Sequence, residues 1–246
     1  MMLAGDALDA INAFPLVEVE ALLQQGPMLV LSPHPDDESL GCGGLIAAAC
    51  HVGVPVDVLV LTDGAGSHPN SIRYPAKRLA AVRREETEQA ARALGLAPER
   101  VGHLGLPDTR APTSGPDFET AVATIATQVA NGGIRQMFVT WDQDPHCDHQ
   151  AAASMARAVA ARVPGLALWS YPIWGWHLAR DRPVEVAALE GLRLNVSAFQ
   201  AVKRRAIAAH VSQMTDLIDD PAGFRFTDTT LRPFTGRYEY FIRTQP

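Results

Sequence analysis

The chain has 246 residues, of which 47% are hydrophobic and 20% charged, enough for one large domain whose core needs no staples. With 21 Lys and Arg against 27 Asp and Glu, a net charge of -6, it lacks the basic footprint of a protein for duplex nucleic acid or an anionic membrane. In chain order, MMLAGDALDAINAF has no positive leader region and reads as mature sequence rather than a signal peptide. Met28 to Ser32 is a continuous apolar run that predicts a buried strand. Leu45 to Val52 reads as a helix. Val56 to Thr62 is a β-branched strand closed by Asp63-Gly64. Arg78 to Leu94 is a helix with Gly95 at its C′ position. Val101 to Leu106 is a third strand, Phe118 to Ala130 a helix, and Gln136 to Thr140 a fourth strand. His149 to Val163 is a helix, Leu166 to Ile173 a fifth strand, Ser197 to Met214 a late helix, and Tyr238 to Arg243 a final alternating strand.

Strands that are apolar throughout and alternate with helices predict an α/β fold: a Rossmann-like, mostly parallel sheet with helices on both faces. Residues 1–246 are expected to form a single domain, with no internal repeat or linker. In such sheets ligands sit beyond the carboxyl ends of the strands. The loops 32–39, 62–68, 106–110 and 140–149 should therefore share one edge. No apolar stretch reaches about 18 residues, so no membrane insertion is expected. The three cysteines, Cys42, Cys50 and Cys147, form no CxxC pair. A disulfide framework is not expected, and the cytoplasm is the default address.

The first strand leaves into Pro33-His34-Pro35-Asp36-Asp37-Glu38, and the fourth into Trp141-Asp142-Gln143-Asp144-Pro145-His146-Cys147-Asp148-His149. Two clusters of histidines and carboxylates at one sheet edge suit zinc, which takes N and O donors. His34, His149 and one carboxylate make a His2Asp set. Asp37, three residues from His34, falls on its side of a turn, and Asp36 points elsewhere, within reach of an activated water. Taken singly, each residue has a plainer reading: the acidic trio also suits the positive end of a helix, and Arg83 with Glu86 also suits an exposed helical ion pair.

The segment His34-Pro35-Asp36-Asp37-Glu38-Ser39-Leu40-Gly41-Cys42-Gly43-Gly44 resembles the signature of the LmbE/PIG-L family of zinc-dependent N-deacetylases. Further matches follow in order: Leu61-Thr62-Asp63-Gly64; Arg83, Glu86, Ala90 and Leu94-Gly95; Leu104 to Asp108; His146-x-Asp148-His149; then Lys203, His210, Ser212 and Gln213. The resemblance spans about residues 28–214. It implies His34, Asp37 and His149 as metal ligands and Asp36 as the base toward the nucleophilic water. It implies His146 as a protonated histidine facing the substrate carbonyl, and Arg83 and Asp108 as contacts to sugar hydroxyls. Asp148 is expected to orient a neighbouring imidazole. Cys147 stands where many relatives carry proline and is read as a bystander. Glycines 41, 43 and 44 are expected to serve a tight turn and close packing where the first helix starts.

The activity implied is removal of an N-acetyl group from an amino sugar or glycoconjugate, a small-molecule substrate, with zinc as cofactor. His2Asp sites also accept iron, cobalt or manganese, and an oligomer is compatible with the sequence. Two other readings compete. Another amidohydrolase or a glycosyl hydrolase would use the same site. A nucleotide-binding Rossmann domain would need G-x-G-x-x-G, but Gly64-Ala65-Gly66 is followed by Pro69 at the third glycine position. His51, His68 and His103 read as surface or core residues, and His210 as packing or indirect support. The tryptophans 141, 169, 174 and 176 read as core by default. His177, and Trp174 or Trp176, are alternative candidates for a sugar-facing wall.

Overall fold

In the computed structural model, which describes residues 1–245, the apolar runs of the sequence become the middle of an eight-stranded sheet. The elements in chain order are β1 (Met2–Leu3), α1 (Ala4–Asn12), β2 (Leu16–Glu18), α2 (Val19–Leu23), β3 (Met28–Ser32), α3 (Asp37–Val52), β4 (Val56–Thr62), α4 (Ala76–Ala93), β5 (Val101–Leu106), α5 (Gly115–Asn131), β6 (Gln136–Thr140), α6 (Cys147–Arg162), β7 (Ala167–Tyr171), β8 (Pro183–Val184), β9 (Gly191–Asn195), α7 (Gln200–Ala209), α8 (Val211–Met214), α9 (Asp228–Leu231) and β10 (Tyr238–Thr244). The order across the sheet is β2-β9-β10-β7-β6-β3-β4-β5. Its pairings are parallel except those of β10, which runs against both β7 and β9. β1 and β8 form a separate antiparallel pair.

The strands β3, β4 and β6 are buried along their whole length, so their alternate residues feed two cores. Met28, Val30, Val58 and Val60 pack with Leu45 and Ile46 of α3 and with Phe241. Leu29, Leu31, Leu59 and Leu61 pack with Val122 and Ile125 of α5 and with Met155 and Val159 of α6. Truncating one of these, such as Leu31→Ala, removes about 2–5 kcal/mol. Among the described residues no helix is long and apolar enough to cross a membrane.

Four expectations are corrected. The helix expected from Leu45 starts at Asp37. Gly41, Gly43 and Gly44 lower helix propensity, which hides this stretch in the sequence. They lie inside the helix rather than in a turn. A Cβ at Gly41 would collide with the Tyr171 ring, and one at Gly44 with Val196, so close packing is their purpose. The late helix is broken at His210 (φ -80°, ψ 59°) into α7 and α8. The fifth strand is shorter than its apolar run, ending at Tyr171. The short elements α1, α2, β2 and β9 fall below the length at which periodicity separates helix from strand.

The chain leaves β3 toward β4 and β5, then returns to the other side of β3 with β6. The connections at the carboxyl ends of β3 and β6 therefore diverge and open a crevice, as at other switch points of α/β sheets. Residues 33–37 and 141–149 are brought to its two lips by topology alone.

Candidate active site

The first lip is built around an unusual backbone. Asp36 has φ 123°, a region nearly closed to side chains with a Cβ, at a cost of about 1–3 kcal/mol. Several bonds hold it there. The Asp36 N–H donates to Glu38 Oε2 (3.0 Å), and its carbonyl accepts from Ser39 and Leu40 (both 3.0 Å). Glu38 is fixed by Ser32 Oγ (3.1 Å), Ser39 Oγ (2.8 Å) and His210 Nε2 (3.2 Å). The bend lets successive carboxylates face different ways. Asp37 turns back to its own loop, accepting from the His34 N–H at 3.0 Å. Asp36 meets Arg83 Nη2 at 2.9 Å.

The second lip is the start of α6. His146 is the residue before its first turn, and its Nδ1 accepts the Asp148 N–H at 3.2 Å. His149 lies one turn on and is fully buried. Its Nδ1 meets Asp144 Oδ2 at 2.9 Å. Asp144 also accepts N–H bonds from Ile173 and Trp174 (both 3.0 Å) and Gly175 (2.6 Å). His34 is held in the same manner, with Nε2 at 3.0 Å from Asp148 Oδ2 and 3.3 Å from Asp108 Oδ1. Asp148 in turn accepts the N–H groups of Thr109 (2.7 Å) and Ala111 (2.9 Å).

With both outer nitrogens bonded to carboxylates, the single proton of each neutral imidazole would reside there and leave the inner nitrogen's lone pair toward the cluster. These inner atoms converge. His34 Nδ1 is 3.2 Å from His149 Nε2 and 3.2 Å from Asp37 Oδ2, and Asp37 Oδ2 is 3.3 Å from His149 Nε2. Tetrahedral coordination at about 2.0–2.2 Å separates ligand atoms by roughly 3.3–3.6 Å, so the triangle fits a zinc-sized cation on its face. Three acceptors aimed at one another repel unless a cation or a proton lies among them. His146 also brings a donor atom within 4.8 Å of one on His34 and one on His149.

The titration behaviour follows from the same crowding. Burial disfavours the His149 cation, but Asp37 and Asp144 outweigh it and push its pKa up to about 9. Burial likewise opposes the Asp37 anion, but the two imidazoles hold it well below the usual carboxylate range. Asp36 goes the other way. Burial raises its pKa to about 7, even though the Arg83 guanidinium pulls it down. His146 is depressed to about 4, by burial first and then by repulsion from His34 and His149. Its Nδ1 accepts the Asp148 N–H, which leaves Nε2 to carry a proton toward the cavity.

A cavity of about 840 Å³ opens over these groups. It is lined by His34, Asp36, Asp37, Arg83, Asp108 and His146, and further by Trp174, Gln213, Phe224 and Phe226. The four loops expected at one edge do meet there. Arg83 is buried and gives both terminal nitrogens to the protein, to Gly64 O (2.8 Å), Pro35 O (2.6 Å) and Asp36. Glu86 makes no ion pair with it; it accepts from Ser212 N–H (2.7 Å) and Oγ (2.6 Å). Asp108 accepts from Gly66 N–H at 2.7 Å. His210 is buried against Glu38, whereas His177 is exposed, with its Nε2 beside Thr230 O and its ring 6.0 Å from that of Trp174. Cys147 is exposed, with Sγ 3.5 Å from Thr109 O. Trp141 and Trp169 are core, Trp176 packs on Tyr240, and Trp174 lines the cavity.

Sequence reasoning misses Asp144, Phe224 and Phe226. Asp144 was visible as a carboxylate five residues before a ligand-type histidine, the only local signal for an orienting partner. Nothing local marks the two phenylalanines, whose loop reaches the site through Phe224 N–H to Ser67 O (2.8 Å).

A switch-point crevice with a converging His2Asp triangle and a buried carboxylate near neutrality defines a class: a hydrolytic enzyme on an α/β scaffold. The family model PIG-L, described as GlcNAc-PI de-N-acetylase, matches residues 29–160, more than half of the chain, and the chain belongs to this family. It is an N-deacetylase, a hydrolase of N-acetyl amide bonds. The 2'-N-acetylparomamine deacetylase of Streptomyces fradiae is 37% identical over 105 residues, which are 42% of this chain and 36% of that protein. The 1D-myo-inositol 2-acetamido-2-deoxy-alpha-D-glucopyranoside deacetylase of Rhodococcus erythropolis is 26% identical over 265 residues, covering 87% of this chain and 90% of that protein. Among solved structures, N,N'-diacetylchitobiose deacetylase from Pyrococcus horikoshii superposes with a TM-score of 0.65 at 23% identity, covering 91% of this chain and 87% of that one. The last likeness concerns the fold.

Proposed function

We propose that the protein is a zinc-dependent hydrolase that removes the acetyl group from an N-acetylated amino sugar, with His34, Asp37 and His149 holding the metal. The observation that carries this reading is the triangle of bare donor atoms with edges of 3.2, 3.2 and 3.3 Å. The two curated relatives act on N-acetylated amino sugars by their names, which supports the substrate class.

A divalent ion bound there would supply Lewis-acid activation of water and of the acetyl carbonyl. The chain's own residues do the rest. Asp36, poised near neutrality, takes a proton from the attacking water as its oxygen bonds to the acetyl carbon. His146 Nε2–H donates to the carbonyl oxygen, where negative charge develops; one such donor is worth about 3–4 kcal/mol. Asp36 then returns its proton to the departing nitrogen as the C–N bond breaks, giving a free amine and acetate. Arg83 keeps the Asp36 carboxylate aimed, and Asp144, Asp148 and Asp108 fix the two imidazoles. Asp144 and Asp148 do this from behind the imidazoles, whereas Arg83 and Asp108 line the cavity and keep their expected place beside the sugar hydroxyls.

The test is metal content together with acetate release from N-acetylglucosamine derivatives. The Asp36→Asn protein is expected to keep its zinc and lose turnover by at least about 10²-fold. Loss of zinc from that variant would make Asp36 a ligand and overturn its assignment as the base. A folded native protein that binds no divalent ion would overturn the reading as a whole.

A further inference from the structure

The cavity has two unlike halves. Its floor is polar and deep: His34, Asp36 and Asp37 are 8%, 4% and 2% exposed. Its outer wall is aromatic. Trp174 lies parallel to Phe226, with centroids 5.7 Å apart and 4° between planes. Phe224 stands edge-on to both, at 5.3 Å and 4.8 Å. Trp174 and Phe224 are only partly buried, so this wall sits nearer the mouth than the floor does. Between the halves lies Gln213, fully buried, with Oε1 lacking any partner among the described residues.

An amide carbonyl that reaches the floor fixes the orientation of the rest of the substrate. The acetyl carbon goes deepest, the sugar ring follows, and whatever the ring carries points toward the mouth. The volume, about 840 Å³, lies toward the top of the range of about 300–1,000 Å³ that encloses drug-sized ligands. A single acetylated hexosamine leaves much of it empty, and what it leaves empty is the aromatic half. Trp174 and Phe224, partly exposed and backed by the buried Phe226, are a costly surface unless a flat, apolar group covers them.

We propose that the substrate is an N-acetyl amino sugar bearing a flat, apolar aglycone, and that Trp174, Phe224 and Phe226 are the residues that select it. The proposal rests on the deacetylase reading. It extends that reading by naming what the sugar carries.

The test uses the zinc-loaded protein with the methyl and phenyl glycosides of N-acetylglucosamine and with methyl N-hexanoylglucosaminide. Acetate or hexanoate release gives kcat/KM. Calorimetry on the Asp36→Asn protein gives affinity without turnover. The phenyl glycoside is expected to bind roughly three- to tenfold tighter than the methyl glycoside. That ratio should collapse toward one in Phe224→Ala and survive in part in Phe224→Leu, which keeps bulk if the alanine variant folds poorly. Equal affinity of the native chain for both glycosides overturns the proposal. So does a preference for the hexanoyl amide with no response to the aglycone, which would make the wall an acyl site. Tighter phenyl binding with no acyl release from any compound keeps the wall and overturns the deacetylase reading instead.

Discussion

The polar floor and the aromatic wall of the same cavity were assembled by different means. The floor comes from strand ends: β3 and β6 are neighbours, and any residues placed just after them must meet. Its side chains are then locked by bonds of about 3 Å to buried carboxylates. The wall combines residues just after β7 with a loop from the irregular tail that has no strand to guide it. Residues 173–175 are caught by Asp144, and residues 223–226 by Ser67 and by the His68 ring, against which Gly223 packs. Chemistry is thus placed by the scaffold, and selectivity by side-chain ties across the scaffold's edge.

The contrast can be broken most severely at the floor. His149→Ala deletes one donor of the triangle and leaves Asp144 with no imidazole. Zinc should be lost on dialysis and acetate release should fall by at least about 10³-fold, the scale on which metal-site chemistry depends on its open coordination. Zinc retained at native stoichiometry would contradict the ligand assignment. Asp144→Asn is the next largest. It keeps shape but exchanges a charged acceptor for an amide, and an orienting partner of a metal-ligating histidine is worth about 10–100-fold in metal affinity or activity. Because the same carboxylate holds the wall backbone, discrimination between phenyl and methyl glycosides should weaken together with zinc affinity. A change in zinc affinity alone would uncouple the two halves.

A pH profile sharpens the role of Asp36. Only its ionised form accepts a proton, and its pKa is raised to about 7. So kcat/KM should rise with pH up to about 7 and fall below it with unit slope. Arg83 lowers that pKa, so Arg83→Met should move the acidic limb to higher pH as well as reduce the plateau. A limb that does not move would show that Arg83 acts on something other than Asp36. The smallest effect is expected at Cys147→Ser. The thiol is exposed and touches only the Thr109 carbonyl and Asp148; turnover and zinc content should stay within about twofold, the range of surface substitutions.

How much of the molecule was legible in the sequence tracks the same divide. The strands at 28–32, 56–62 and 136–140 were readable to the residue because burial on both faces demands nearly unbroken apolar runs, and the half-buried edge strand at 101–106 was bounded by its flanking turns. The two histidine and carboxylate clusters were readable because they interrupt those runs abruptly. The start of α3 was hidden by its glycines, whose reason is a contact with Tyr171, far along the chain. The crowding of His146 against two other imidazoles, with ring centroids at 4.5 Å and 5.1 Å, was hidden because it depends on His34, far along the chain. Phe224 and Phe226 were invisible, since an aromatic pair in an irregular tail looks the same whether it lines a cavity or fills a core.

The grip of Asp144 on the wall is made through main-chain amides, which every residue but proline supplies. At position 175 the choice is closed, since a Cβ there would press to 2.6 Å from the Asp144 carboxylate. At position 174 it is open: the indole can be exchanged for another side chain while the tie that steadies His149 stays intact. The molecule therefore has a point at which substrate preference can drift over evolutionary time, one residue from a point at which it cannot.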